Sequence, residues 1–171
     1  MLPLRELYNP VEDISIKAEN KTQRYEELLK VLASLVEGVR DEVAAMANTA
    51  ALLHETMHFF WTGFYRVSDG NRLILGPFQG PVACCSIGYG KGVCGTAWKR
   101  AESVVVEDVE KFPGHIACSS ASRSEIVVPI FDAAGAVRAV LDIDSDRLAA
   151  FDETDRIMLE KAMLILSKEI Y

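Results

Sequence analysis

The chain has 171 residues, half of them hydrophobic and a quarter charged, which fits one soluble domain with a substantial core of its own. A net charge of −7 speaks against nucleic acid, whose phosphates call for basic patches. No apolar run is long enough to span a bilayer, and the stretch from Met1 to Glu6 lacks the basic head and apolar segment of a signal peptide, so a cytoplasmic location is expected.

Residues 1–20 carry Pro3 and Pro10 without a clear period and read as an irregular arm; residues 21–171 read as a single domain. Tyr25, Leu28, Leu29, Leu32, Leu35 and Val36 recur at helical spacing, and Gly38 supplies a stop. Val43, Met46, Ala47, Ala50, Leu53 and Met57 predict a second amphipathic helix after Asp41. From Phe59 to Val67 the chain turns aromatic and β-branched, and Ser68-Asp69-Gly70-Asn71 marks a hairpin with Arg72–Leu75 as partner. A short third strand is expected over Ala83–Ile87, a short helix over Gly95–Ala101 and a fourth strand over Ser103–Glu107. Glu125–Phe131 and Ala136–Asp144 flank the turn Asp132–Gly135 as a second hairpin. Asp152 is a good N-cap for a last helix, with Glu153 and Asp155 placed to suit its dipole and Met158, Ala162, Ile165 and Leu166 as its apolar stripe. Hairpins imply an antiparallel sheet, and helices gathered at the two ends of the sequence imply one covered face. The class is α+β.

Cys84, Cys94 and Cys118 each lie among Gly, Ala, Ser and Pro, and Cys85 adjoins the first. A structural cysteine usually has apolar neighbours, whereas thiols on Gly-rich connections can approach a ligand and one another. In a reducing compartment, clustered cysteines are more often catalytic or metal-binding than structural disulfides. A zinc site on Cys84, Cys94, Cys118 and His115 lacks the short Cys-x-x-Cys or His-x-x-x-His knuckle usual in structural sites, so His115 reads as a loop residue or a hydrogen-bond partner of a thiol. His54 and His58 read as decoration of a helix C-terminus. Gly90-Lys-Gly92-Val-Cys-Gly95 matches the dinucleotide fingerprint in form, but that motif needs a parallel βαβ unit and these hairpins argue against one.

Asp142 and Asp144 share one face of a strand by the period of two, and Glu125 opens the antiparallel partner. One such Asp would read as an edge cap binding turn amides. Three carboxylates converging near Cys118 read as functional, since acids within Val/Ile-rich strands must be paired or used. Trp61 and Tyr65, four apart, also share a face, and their polar tips need partners if buried.

Five blocks, Gly76-Pro-Phe-Gln-Gly80-x-x-Ala-Cys84, Gly90-x-Gly-Val-Cys94-Gly-Thr-Ala97, Gly114-His-Ile-Ala-Cys118, Ser124-Glu125-Ile-Val and Leu141-Asp-Ile-Asp-Ser145, together resemble the free methionine-(R)-sulfoxide reductases, enzymes on the GAF fold. The resemblance covers roughly residues 20–170. It implies a six-stranded antiparallel sheet covered by N- and C-terminal helices, reduction of the R epimer of free methionine sulfoxide, and electrons drawn from thioredoxin. It further implies Cys118 as nucleophile, Cys84 as resolving thiol and Cys94 as a third thiol able to join disulfide exchange. Glu125, Asp142 and Asp144 would hold the sulfoxide oxygen and the substrate amine, and Trp61 and Tyr65 would receive the methyl group. Cys85 has no counterpart in the pattern, which leaves the resolving thiol open among Cys84, Cys85 and Cys94. A homodimer is implied only by the resemblance.

The chemistry of these residues agrees with that reading. A thiolate attacks, a protonated carboxyl serves the departing oxygen, and a second thiol condenses with the sulfenic acid, with neither metal nor organic cofactor required. The rival readings are a small-ligand-sensing GAF module and a redox sensor without turnover.

Overall fold

The computed structural model describes residues 16–116 and 118–171, so most of the expected arm lies outside the described residues. Helix α1 (Lys21–Val36) begins where the Asn20 side chain accepts a hydrogen bond from the Gln23 amide, and α2 (Glu42–Met57) begins at Asp41, which accepts one from Ala44. Strands β1 (Trp61–Val67) and β2 (Arg72–Gln79) form the first hairpin, and the short β3 (Ser86–Gly88) follows. After α3 (Gly92–Arg100) come β4 (Val104–Val106), a turn of 3-10 helix (Val109–Lys111), and the second hairpin of β5 (Ser124–Phe131) and β6 (Val137–Ser145). Helix α4 (Glu153–Ile170) closes the fold with a capping box between Asp152 and Asp155.

The six strands run in the order β3-β2-β1-β6-β5-β4 with every neighbouring pair antiparallel. Helices α1, α2 and α4 cover one face. Tyr25, Leu28 and Leu32 of α1 meet Met46 and Leu53 of α2, Leu159 and Leu166 of α4, and the sheet residues Phe64, Ile126, Leu141 and Ile143 in one core. The alternation of β1, β5 and β6 sends Trp61, Tyr65, Val127 and Val140 to the opposite face, where Val93, Cys94, Ala97 and Trp98 of α3 pack on them in a second core.

Three expectations are corrected by this arrangement. Both faces of the sheet are covered, because the short α3 buries most of its residues and lies flat on the second face. That helix starts at Gly92, three residues earlier than its pattern predicts, so Cys94 belongs to its first turn and is buried (3% exposed). The third strand shrinks to Ser86–Gly88, leaving Ala83, Cys84 and Cys85 in the connection before it. Side chains of β1 bind that connection instead: the Trp61 indole donates to the Pro81 carbonyl and the Tyr65 hydroxyl to the Cys84 carbonyl, both at 3.0 Å.

Candidate active site

Sheet register lines up the functional side chains. Glu125 on β5 sits opposite Asp144 on β6, and Asp144 sits opposite Trp61 on β1. Two residues along β6, Asp142 lies between Val127 of β5 and Gly63 of β1. Tyr65 follows two further along β1, with its ring 6.2 Å from that of Trp61 and nearly parallel to it. Gly63 is needed for this packing: a Cβ there would meet Trp61 Cη2 at 2.5 Å and Phe78 Cβ at 2.4 Å. The indole can therefore fold across its own strand and stack on Phe78 at 5.4 Å.

Two elements roof this floor. Gly95 lets the first turn of α3 press against the end of β3, since a Cβ there would lie 2.4 Å from the Gly88 carbonyl oxygen. That close approach delivers Cys94, whose Sγ is 3.9 Å from Glu125 Oε1. The segment after the 3-10 turn brings His115, with Nε2 3.8 Å from Glu125 Oε2, and then Cys118. Cys118 is joined to Cys84 in a disulfide with a Cα–Cα distance of 5.3 Å, while Cys94 and the exposed Cys85 are free thiols.

The disulfide segment divides the space above the sheet. On one side a cavity of about 20 Å³ is walled by Cys94, His115, Cys118, Glu125, Asp142 and Asp144, with Ser122 at its edge. On the other a cavity of about 10 Å³ is walled by Trp61, Tyr65, Ala83, Cys118 and the same two aspartates. Cys118, Asp142 and Asp144 belong to both walls, and Cys84 to neither. Each cavity has room for about one water. A larger cavity of about 600 Å³ lies away from every cysteine, between α4 and the β5 end, and of its charged residues Glu102, Arg156 and Glu160 the last two pair with each other.

Electrostatics set the acids apart from surface carboxylates. Burial raises Glu125 well above the usual carboxylate range, and the charges of Asp142 and Asp144 add to the shift. Asp142 is likewise raised by burial and by Asp144, and its Oδ1 is enclosed without a hydrogen-bond partner. Asp144 is raised by burial to about 6, held from going higher by a hydrogen bond with Ser122. Burial and the two neighbouring acids keep the Cys94 thiol protonated, and burial lowers His115 so that it is neutral at physiological pH. Donor atoms of Cys94, Glu125 and Asp142 lie within 4.8 Å of one another, the arrangement that a metal ion would use.

The structure brings together Cys84, Cys118, Cys94, Glu125, Asp142, Asp144, Trp61 and Tyr65. It adds Ser122, which the sequence pattern did not single out, and it turns His115 from a loop residue into cavity wall. The Gly114–Cys118 block was the signal for His115, whereas Ser122 carries no local mark.

A family model described as a GAF domain matches residues 37–164. The chain is 49% identical over 155 residues to GAF domain-containing protein A of Dictyostelium discoideum, covering 91% of this chain and 98% of that one. It is 42% identical over 156 residues to the free methionine-R-sulfoxide reductase of Saccharomyces cerevisiae, covering 87% of each. Among solved structures, the free methionine-R-sulfoxide reductase of Neisseria meningitidis in complex with its substrate superposes with a TM-score of 0.90 at 49% identity, covering 93% of this chain and 95% of that one. With matches of this depth spanning nearly all the described elements, the chain belongs to the free methionine-R-sulfoxide reductase family of GAF-domain proteins.

Proposed function

We propose that this chain reduces free L-methionine-(R)-sulfoxide to methionine through thiol chemistry at Cys118. The observation that carries the reading is the Cys84–Cys118 disulfide, whose Cys118 half forms part of both cavities over the acids and the aromatics. In the reduced enzyme the Cys118 thiolate attacks the sulfoxide sulfur while Glu125, protonated by burial, gives its proton to the departing oxygen. The hydroxyl then passes from the substrate sulfur to the Cys118 sulfur as the bond between the two sulfurs breaks, so that methionine leaves and Cys118 is left as a sulfenic acid. The Cys84 thiol displaces it as water and forms the disulfide, which an external dithiol of the thioredoxin type reopens by exchange. Cys94 is kept protonated by burial and so is a poor nucleophile, and Cys84 is the thiol joined to Cys118, so resolution falls to Cys84.

Asp142 and Asp144 hold the substrate ammonium, and Trp61 and Tyr65 surround the methyl group. Residues 21–171 form the catalytic domain, working in the cytoplasm and as a homodimer. Among the described residues no helix is long and apolar enough to cross a membrane. Incubation with racemic methionine sulfoxide and dithiothreitol tests the reading: one epimer should disappear as methionine forms. Comparable rates on an N-acetylated, amide-capped sulfoxide would rule out recognition of the free amino acid, and no methionine at all would leave a ligand-sensing or redox-sensing module.

A further inference from the structure

Cys94, Glu125 and Asp142 reach one small space from three different elements, α3, β5 and β6, with one sulfur and two carboxylate oxygens mutually within 4.8 Å and all three residues buried. The space they enclose, about 20 Å³, fits a single water or ion and nothing larger. No lysine or arginine lines it among the described residues, and its one basic group, His115, stands 3.8 Å from Glu125. Within it Asp142 Oδ1, on a side chain only 6% exposed, lacks any partner. A buried acceptor left unsatisfied calls for a bound species, and three desolvated acids with no opposing charge call for a cation.

We propose that the oxidised chain binds one borderline-soft divalent transition-metal cation, Zn²⁺ foremost, on Cys94, Glu125 and Asp142, with His115 on the fourth side. A thiolate, two carboxylates and an imidazole suit zinc, whereas Ca²⁺ and Mg²⁺ need six or more oxygens that this space cannot offer. The missing short knuckle bears on structural zinc sites built in one loop. Here the ligands are assembled by sheet register and by the fit of α3 against β3. The cation enters as the ligand protons leave for solvent, with no change of oxidation state. On the reduced chain the same cation would occupy two of the acids assigned to the substrate and act as a competitive inhibitor; that consequence rests on the proposed function, while the binding itself does not.

Titration of the oxidised full chain with Zn²⁺ against a chromophoric chelator tests the site without substrate and with Cys84 and Cys118 unable to act as ligands. About one equivalent should be held per chain, and Cys94→Ser and Glu125→Gln should each weaken binding at least tenfold, roughly the loss that even an outer-sphere change produces. Cys85→Ser should leave it unchanged. Co²⁺ in place of Zn²⁺ should give a thiolate-to-cobalt charge-transfer band in the wild-type chain, a reading that survives even if a variant misfolds. Failure to hold one equivalent, bound Co²⁺ without that band, or wild-type affinity in a folded Cys94→Ser chain would each overturn the proposal. A displacement assay separates the two readings: Zn²⁺ that binds the oxidised chain as expected but is not displaced by methionine sulfoxide from a reduced Cys118→Ser chain argues against the substrate assignment and leaves the metal site standing.

Discussion

At the scale of single residues, thiols and acids divide the work by their surroundings. Cys118 shares a wall with both the acids and the aromatics, so Cys118→Ser should abolish methionine release even in a single turnover. Cys84→Ser should still release about one methionine per enzyme, because the sulfenic acid forms before resolution, and then stall with thioredoxin. Rapid-quench measurement of methionine checks both, and continued cycling of Cys84→Ser would move the resolving role to another thiol. Glu125→Gln should slow the chemical step more than it raises KM, since the oxygen becomes basic only as its bond to sulfur breaks. Asp142→Asn should raise KM first. Asp144 offers a test by pH. Its carboxyl titrates near 6 when folded and near 3.8 when free, so the folded chain holds that proton more tightly. The stability this contributes is complete below about 3.8 and is lost as pH rises through about 6. Asp144→Asn should therefore raise the unfolding free energy of the oxidised protein at about pH 8, on the order of 1 kcal/mol after solvent screening, with no gain at about pH 4. Equal differences at both pH values would mean that Asp144 is not perturbed by burial.

At the scale of elements, α3 is placed by its contact with β3. Gly95→Ala sets a methyl group against the Gly88 carbonyl oxygen, and α3 must shift outward, taking Cys94 from Glu125. We expect a loss of about 1–3 kcal/mol in chemical denaturation. The two small cavities carry a second expectation: in the disulfide state neither holds an amino acid, so calorimetry should detect methionine sulfoxide binding to a reduced Cys118→Ser chain and none to the oxidised wild type. Much of this level was legible in the sequence. The two hairpins, the long helices and the meeting of Glu125 with Asp142 and Asp144 all follow from periodicity and turn chemistry, which are local signals. The starts of α3 and of β3 were not legible, because both are decided by contacts outside their own segments. Gly92 and Gly95 look like loop residues until a positive φ at the first and the Gly88 carbonyl against the second require their lack of a side chain. Ala83–Ile87 has strand composition, yet the phenol of Tyr65 binds the Cys84 carbonyl within it and the indole of Trp61 the Pro81 carbonyl just before it, where a ladder would have formed. The second covered face was missed because the pattern began α3 at Gly95 and so left out Gly92, Val93 and Cys94, three of the residues it buries there.

At the scale of the whole molecule, the N-terminal helix is fastened to the C-terminal one by a buried polar joint. Lys21 pairs with Asp152 and Asp155, and the Tyr25 hydroxyl donates to Asp155 Oδ1 at 2.8 Å, with Asp155 only 1% exposed. Removing one partner strands a buried acceptor, so Tyr25→Phe should lower stability by about 1–3 kcal/mol while the rate per folded molecule stays unchanged. Thermal melts paired with active-site titration would check this, and a lower rate per active site would show that the joint reaches the sheet face opposite it. The joint lies on the α1–α4 side, and the chemistry lies across the sheet among the shorter elements. The polar joint and the candidate active site thus lie on opposite faces of one sheet.

The hydroxyl of Tyr65 gives that division a limit. The ring that walls the small cavity beside Trp61, the proposed methyl site, is also the clasp on the Cys84 backbone. Any change at this position made to admit a bulkier sulfoxide would release the strand connection that presents the second thiol. On the proposed function, substrate range and recycling rate are therefore coupled through this one side chain. A variant with a wider appetite inherits a slower reset.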